Sequence, residues 1–305
     1  MSRNVIAVAS PCLRIGIDSS RACGRVGLPH DLPSLDAPDG AEPGVRNLGG
    51  TGRVAPEDRS VLTRPATAPD AVFTYGPADE QVADVRFARS SAVNRPLLVL
   101  VHGGFWRPEF DRSHVRPMTE ALAVAGWPTV TPEYRRIPGR PDLAIEDVHA
   151  AVRAVARRPE LAGRRDERFL LGGHSAGGHL ALQAAATLRP PHVPDGVLAL
   201  APVADLRRGQ ALALDRDAVP AFLGQDAAAR PDLDPARLPT PVSPVRILHG
   251  TGDGIVPIEV SESYLGRHPE AVLTAVTSGH FALIDPRSTA WPTVLGALDD
   301  LSGAA

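Results

Sequence analysis

Residues 173–177 read Gly-His-Ser-Ala-Gly, between the apolar run RFLLGGHS and the helix-forming run AGGHLALQAAATL. A serine with a glycine two places away on each side, at a strand-to-helix turn, is the pattern that lifts a hydroxyl onto a sharp bend. Glycine suits those places because neighbouring backbones pass too close for a Cβ. The hydroxyl then stands at a helix N-terminus, where N–H groups and the helix dipole favour developing negative charge. The same letters fit a Gly-rich turn with a capping serine, so the pattern needs partners. A serine hydroxyl is a weak nucleophile near neutral pH and requires a base, usually a histidine held by a carboxylate. On this kind of turn the chain order is serine, acid, histidine. Asp253 follows a strand-like run in RILHGTGDGIVP, and His280 follows another in TAVTSGHFALIDP. Alone, Asp253 reads as a turn aspartate ahead of glycine, and His280 as a loop histidine. Their joint order and placement select a triad of Ser175, Asp253 and His280.

Acyl transfer through serine builds charge on the carbonyl oxygen, which needs N–H donors placed in advance. One is expected from Ala176, the residue after the nucleophile, and another from the loop after an earlier strand. That loop is HGGFW, residues 102–106. Its glycines let the backbone approach a substrate, which assigns donors to Gly104 and Phe105, with Gly103 as the alternative. Phe105 and Trp106 either wall the site or pack the core. His102 reads as a brace for the loop rather than a base. His174 and His179 flank the serine and orient its loop and helix, and His249 ends a buried strand. His114, His149, His192 and His268 read as surface or helix positions. No H-E-x-x-H or similar spacing appears, so no catalytic metal is expected.

These residues need a frame that brings distant loops together. VADVRFAR alternates like a strand, and PLLVLVHG is a continuous apolar run suited to a strand buried on both faces. Helices are expected over about 113–125, 141–158, 176–188 and 258–265 and in the closing STAWPTVLGALDDL. Between them fall the strands WPTVTPEYR, RFLLGGHS, DGVLALAPV, PVRILHGTGD and AVLTAVTSGH. Strands alternating with helices imply βαβ crossovers and a mostly parallel sheet. In such sheets function gathers beyond the carboxyl ends of the strands.

The chain of 305 residues suits one large α/β domain, and its net charge of −3 gives no case for nucleic acid or an anionic membrane. No apolar run approaches the roughly 20 residues of a membrane helix. Every basic residue is arginine, and both cysteines, Cys12 and Cys23, lie near the N-terminus. A disulfide framework is therefore absent from the remainder, and a cytoplasmic setting is the simplest expectation. No Phe, Tyr or Trp precedes Phe73, and the early chain is dense in Pro, Gly and Asp. Residues 1–65 are therefore expected to be a disordered or loosely attached tail, or a mis-assigned start, with residues 66–305 forming the domain.

HGGFW, GHSAGGHLA, HGTGDGIVP and GHFALIDP together resemble the α/β-hydrolase superfamily, over roughly residues 70–303. The likeness is strongest to kynurenine formamidases (arylformamidases) and related small esterases, whose loop reads HGGxW. Hormone-sensitive-lipase-like esterases usually carry a third glycine where this chain has Phe105. The resemblance implies an α/β-hydrolase fold with a mostly parallel central sheet and helices on both faces. It implies Ser175 as nucleophile, His280 as base and then acid, and Asp253 as its orienting partner. It also implies no cofactor and a small-molecule acyl substrate, plausibly an N-formyl aromatic amide such as N-formylkynurenine. Residues 204–243 are expected to form a cap over the site. Trp106, Phe222 and Phe281 are the candidate substrate contacts, and Arg207 or Arg208 would meet a substrate carboxylate. A general short-acyl carboxylesterase, an exopeptidase and a non-catalytic binding module remain alternatives. A homodimer stays open.

Overall fold

The computed structural model describes residues 57–90, 95–158 and 168–303. Eight strands form one sheet in the order β1-β2-β4-β3-β5-β6-β7-β8. They are β1 (Ala71–Thr74), β2 (Val82–Arg86), β3 (Leu97–Val101), β4 (Thr129–Pro132), β5 (Phe169–His174), β6 (Gly196–Leu200), β7 (Val245–Gly250) and β8 (Val272–Val276). β2 runs antiparallel to both β1 and β4, and every other neighbour is parallel. β1 is the one strand that the sequence pattern did not single out. Its four residues alternate half-buried and exposed at the sheet edge, too short a run to carry a signal.

The centre of the sheet is covered on both faces. In β3 every residue is buried. Period-2 alternation sends Leu97, Val99 and Val101 into one core, with Val148, Val152 and Leu180. Leu98 and Leu100 enter the other, with Met118, Leu122, Trp127, Val294 and Leu298. The first core lies under α2 (Pro141–Ala156) and α3 (Ala176–Thr187), the second under α1 (Arg116–Val124) and α7 (Trp291–Ser302). Residues 206–223 hold two short helices, α4 (Leu206–Ala211) and α5 (Ala218–Leu223), and α6 (Glu259–Leu265) follows β7. Among the described residues, no helix is long and apolar enough to cross a membrane.

The boundary expected at residue 65 shifts towards the N-terminus. Residues 1–56 of the expected tail lie outside the described residues. Residues 57–65 pack on the domain: Val61, in the 3-10 turn Ser60–Thr63, is 1% exposed. The Arg64 guanidinium grips Asp285 through two hydrogen bonds, one of them 2.7 Å. Buried Val61, half-buried Leu62 and one ion pair do this, too few apolar positions to give a periodic signal.

Candidate active site

Ser175 caps α3 directly after β5, with φ 56° and ψ −118°. An L-residue held there carries about 1–3 kcal/mol of strain, which the surrounding backbone must impose. It does so through close packing. A Cβ on Gly173 would lie 2.2 Å from the Gly177 carbonyl oxygen, and one on Gly177 2.1 Å from the Val101 carbonyl oxygen. The Ser175 N–H donates to the Leu200 carbonyl at 2.8 Å, fixing the turn to β6. The two glycines of the motif are thus demanded by contact with β3 and the start of α3.

Asp253 and His280 come to this turn from the ends of β7 and β8. The His280 Nδ1–H donates to Asp253 Oδ2 at 2.6 Å. The other oxygen of Asp253 accepts the N–H groups of Ile255 and Val256, at 2.9 and 2.8 Å. Burial alone would raise the Asp253 pKa. Hydrogen bonds from His249, His280 and Val256 more than reverse this, so the carboxyl is held well below its ordinary value. An ionised Asp253 fixes the imidazole with its Nε2 free to take a proton. His174 holds the same loop from the other side, its Nε2–H donating to the His280 carbonyl at 3.2 Å. Burial, with His280 beside it, keeps His174 well below the usual histidine value and therefore neutral at pH 7.

Ser175 and His280 line one cavity of about 190 Å³ with Gly104, Phe105, Phe110, Phe281 and Ile255. Arg59, Arg107 and Arg216 also line it, and Arg107 pairs with Asp215 at 3.1 Å. Register places the HGGFW loop beside the nucleophile, because Val101 of β3 pairs with Gly173 of β5. A Cβ on Gly103 would lie 2.9 Å from the His174 carbonyl oxygen and 3.2 Å from Ser175 Cβ. Gly104 (φ 112°), Phe105 (φ 51°) and Trp106 (φ 56°) all take left-handed backbone. Among the described residues, the N–H groups of Gly104 and Phe105 meet no protein acceptor. The Ala176 N–H, first in α3, has no partner within the helix.

The aromatic residues divide differently from the sequence expectation. Phe281 lines the cavity, but Trp106 and Phe222 are absent from its walls. They are 3% and 5% exposed and stack on each other, centroids 4.5 Å apart, in the core beneath the loop. His179 abuts Trp106 edge-on and reaches the Leu233 carbonyl at 2.8 Å. This block supports the loop and does not touch the cavity; the left-handed turn at Trp106 directs the indole inward. Of residues 204–243, Asp215 and Arg216 reach the cavity wall, while Arg207 and Arg208 do not. Arg208 lies 3.1 Å from Glu259.

Sequence reasoning missed several site residues. His114 was expected at a surface or helix position; it stands in the 3-10 turn Arg112–Val115 and also lines the cavity, its Nδ1 2.6 Å from the Asp111 carbonyl oxygen. His268 is also buried, against Tyr264. Glu133, after β4, lies 2.8 Å from His102 Nε2 and accepts the Arg112 N–H at 2.9 Å, and Arg136 also bonds it. His102 stacks on Tyr134, whose hydroxyl donates to the His102 carbonyl at 3.0 Å. His102 is therefore a brace, tied to β4. The nearest available signal was the three charges in PEYRR at the end of a strand. Glu57 gave none. No metal-ligating group of three or more side chains occurs among the described residues.

Residues 98–231 match the sequence pattern of a family described as alpha/beta hydrolase fold, a span that holds the HGGFW loop and Ser175. The probable carboxylic ester hydrolase LipM of Mycobacterium tuberculosis is 29% identical over 190 residues, 56% of this chain and 44% of that protein. The carboxylesterase NlhH of the same organism is 32% identical over 163 residues, 50% of this chain and 51% of that protein. The chain thus spans about half the length of these relatives. Esterase B from Lactobacillus rhamnosis superposes with a TM-score of 0.63 at 20% identity, covering 78% of this chain and 89% of that one. The Est2 esterase of Thermogutta terrifontis gives 0.59 at 21% identity, covering 78% and 95%. By sheet order, by the turn at Ser175 and by these likenesses, the chain has the α/β-hydrolase fold.

Proposed function

We propose that the protein is a serine hydrolase that cleaves short-acyl carboxylic esters through an acyl-enzyme on Ser175. The observation that carries this reading is Ser175, on its strained turn, sharing a cavity with a His280 ring fixed at 2.6 Å by Asp253. Ser175 Oγ attacks the ester carbonyl while His280 Nε2 takes its proton. The oxyanion meets the N–H of Ala176 and those of Gly104 and Phe105, with Gly103 as the alternative donor. His280 returns the proton to the leaving alkoxide. Water then attacks the acyl-enzyme with His280 again as base, which frees the acid and restores Ser175. The cavity of about 190 Å³ is smaller than the roughly 300–1,000 Å³ of ordinary ligand sites, which favours short acyl groups. The likeness to ester hydrolases supports the leaving group being an alcohol.

A second reading, cleavage of an N-formyl aromatic amide, is favoured by two observations. Phe105, Phe110 and Phe281 line the cavity, and the loop keeps the HGGxW form. Formyl is the smallest acyl group, and the aromatic walls suit an aryl leaving group.

Turnover of 4-nitrophenyl acetate, butyrate and octanoate and of N-formylkynurenine by the full chain tests both readings. The expected result is kcat/KM falling from butyrate to octanoate, and a loss on the order of 10⁵-fold in Ser175→Ala. A formamide kcat/KM far above that of the esters would replace the esterase reading with the formamidase one. Activity unchanged in Ser175→Ala would reject both.

A further inference from the structure

The residue least expected at this site is Glu57. Both of its carboxylate oxygens accept the His280 backbone N–H, each at 2.9 Å, and Oε1 also accepts the Gly254 N–H at 3.2 Å. Gly254 directly follows Asp253. One side chain from the N-terminal segment therefore joins the loop bearing the base to the loop bearing its acid partner. A carboxylate suits this task, since it accepts through several lone pairs and donates nothing.

Two further features fit the same role. A Cβ on Gly279 would lie 2.4 Å from Glu57 Oε2, and the three nearest atoms to it all belong to that carboxylate. Gly279 is not among the glycines with positive φ, so its lack of a side chain makes room for Glu57 rather than for an unusual turn. The segment carrying Glu57 is fastened independently by buried Val61 and by the Arg64–Asp285 pair, and the Arg59 guanidinium sits 5.4 Å over the Phe281 ring. Glu57 is thus pressed against the His280 loop by contacts that do not depend on it.

Resting on the hydrolase reading above, we infer that Glu57 is a positioning residue. It holds the His280 and Asp253 loops in mutual register, with the His280 carbonyl fixed by His174 on the opposite side. Catalytic geometry is sensitive to this: a misplacement of about 1 Å costs up to about 100-fold in rate.

The test is steady-state turnover of 4-nitrophenyl butyrate by the full chain, with thermal melts as a folding check. Glu57→Ala is expected to lower kcat about 10- to 100-fold with KM within about twofold. Glu57→Gln, which keeps an acceptor oxygen, is expected to recover most of kcat. Gly279→Ala should lower kcat in the parent but add no further loss in Glu57→Ala, where the atoms it meets are gone. If Glu57→Ala does not fold, the Gln variant and Gly279→Ala still give the readout. A kcat for Glu57→Ala within about twofold of the parent overturns the inference. So do equal losses in the Ala and Gln variants, or additive losses with Gly279→Ala. A parent chain that turns over no ester or formamide and takes no fluorophosphonate on Ser175 overturns the hydrolase reading as well; an active parent with an equally active Glu57→Ala overturns the inference alone.

Discussion

At Asp253 a single residue would couple stability to the proposed catalysis. Its folded pKa lies below the unfolded value of about 3.9. Its contribution to stability is therefore present above that pH and is lost as pH falls through the folded value. Asp253→Asn should accordingly lose urea resistance at pH 7, and the gap from the parent should narrow as pH drops from about 4 towards 2. The same variant leaves the imidazole free to adopt the wrong tautomer, and kcat should fall by roughly 10⁴-fold. The juxtaposition of Ser175, Asp253 and His280 was legible at this scale because each stands beyond a strand with apolar residues, in a fixed order. His114 and Glu57 were not legible. One is a histidine in the 3-10 turn Arg112–Val115, whose direction depends on tertiary packing. The other is a glutamate among prolines, with nothing near it in sequence to show that it meets His280.

At the scale of elements, the turn from β5 into α3 is set by backbone contact. Gly177→Ala would drive a Cβ to 2.1 Å from a carbonyl oxygen of β3, and the variant is expected to yield no folded protein in a circular-dichroism melt. Gly296, exposed within α7 and with open space around it, gives the contrast. Gly296→Ala should stabilise the fold by about 1 kcal/mol, roughly 2–4 °C in Tm. The stacked pair Trp106 and Phe222 belongs to packing. Phe222→Ala should cost about 3–5 kcal/mol and lower kcat by loosening the loop above it, with KM for a small ester little changed. Strand and helix alternation made nearly the whole frame readable. The aromatic contacts were not, because alternation does not say which way a left-handed loop turns its side chains. Sequence placed Trp106 at the cavity wall, whereas φ 56° at that residue buries the indole instead.

For the molecule as a whole, the functional unit reaches further towards the N-terminus than composition suggested. A chain beginning at residue 66 would lose buried Val61, the Arg64–Asp285 pair and Glu57 together. It should melt at a lower temperature than the full chain and retain little ester turnover. The low aromatic content of the early residues hid this, since two aliphatic residues and a few charged side chains do the anchoring. The six parallel strands deliver the HGGFW loop, Ser175, Asp253 and His280 to one edge of the sheet, and the short segments after β6 add Asp215 and Arg216 to the cavity. The central claim is that Ser175 is the nucleophile activated by His280. Mass spectrometry of the full chain after reaction with a fluorophosphonate tests it most directly, with Ser175→Ala and His280→Ala alongside. The account predicts a single adduct on Ser175, absent in Ser175→Ala and formed far more slowly in His280→Ala. An adduct on another serine, or equal labelling without His280, would contradict it.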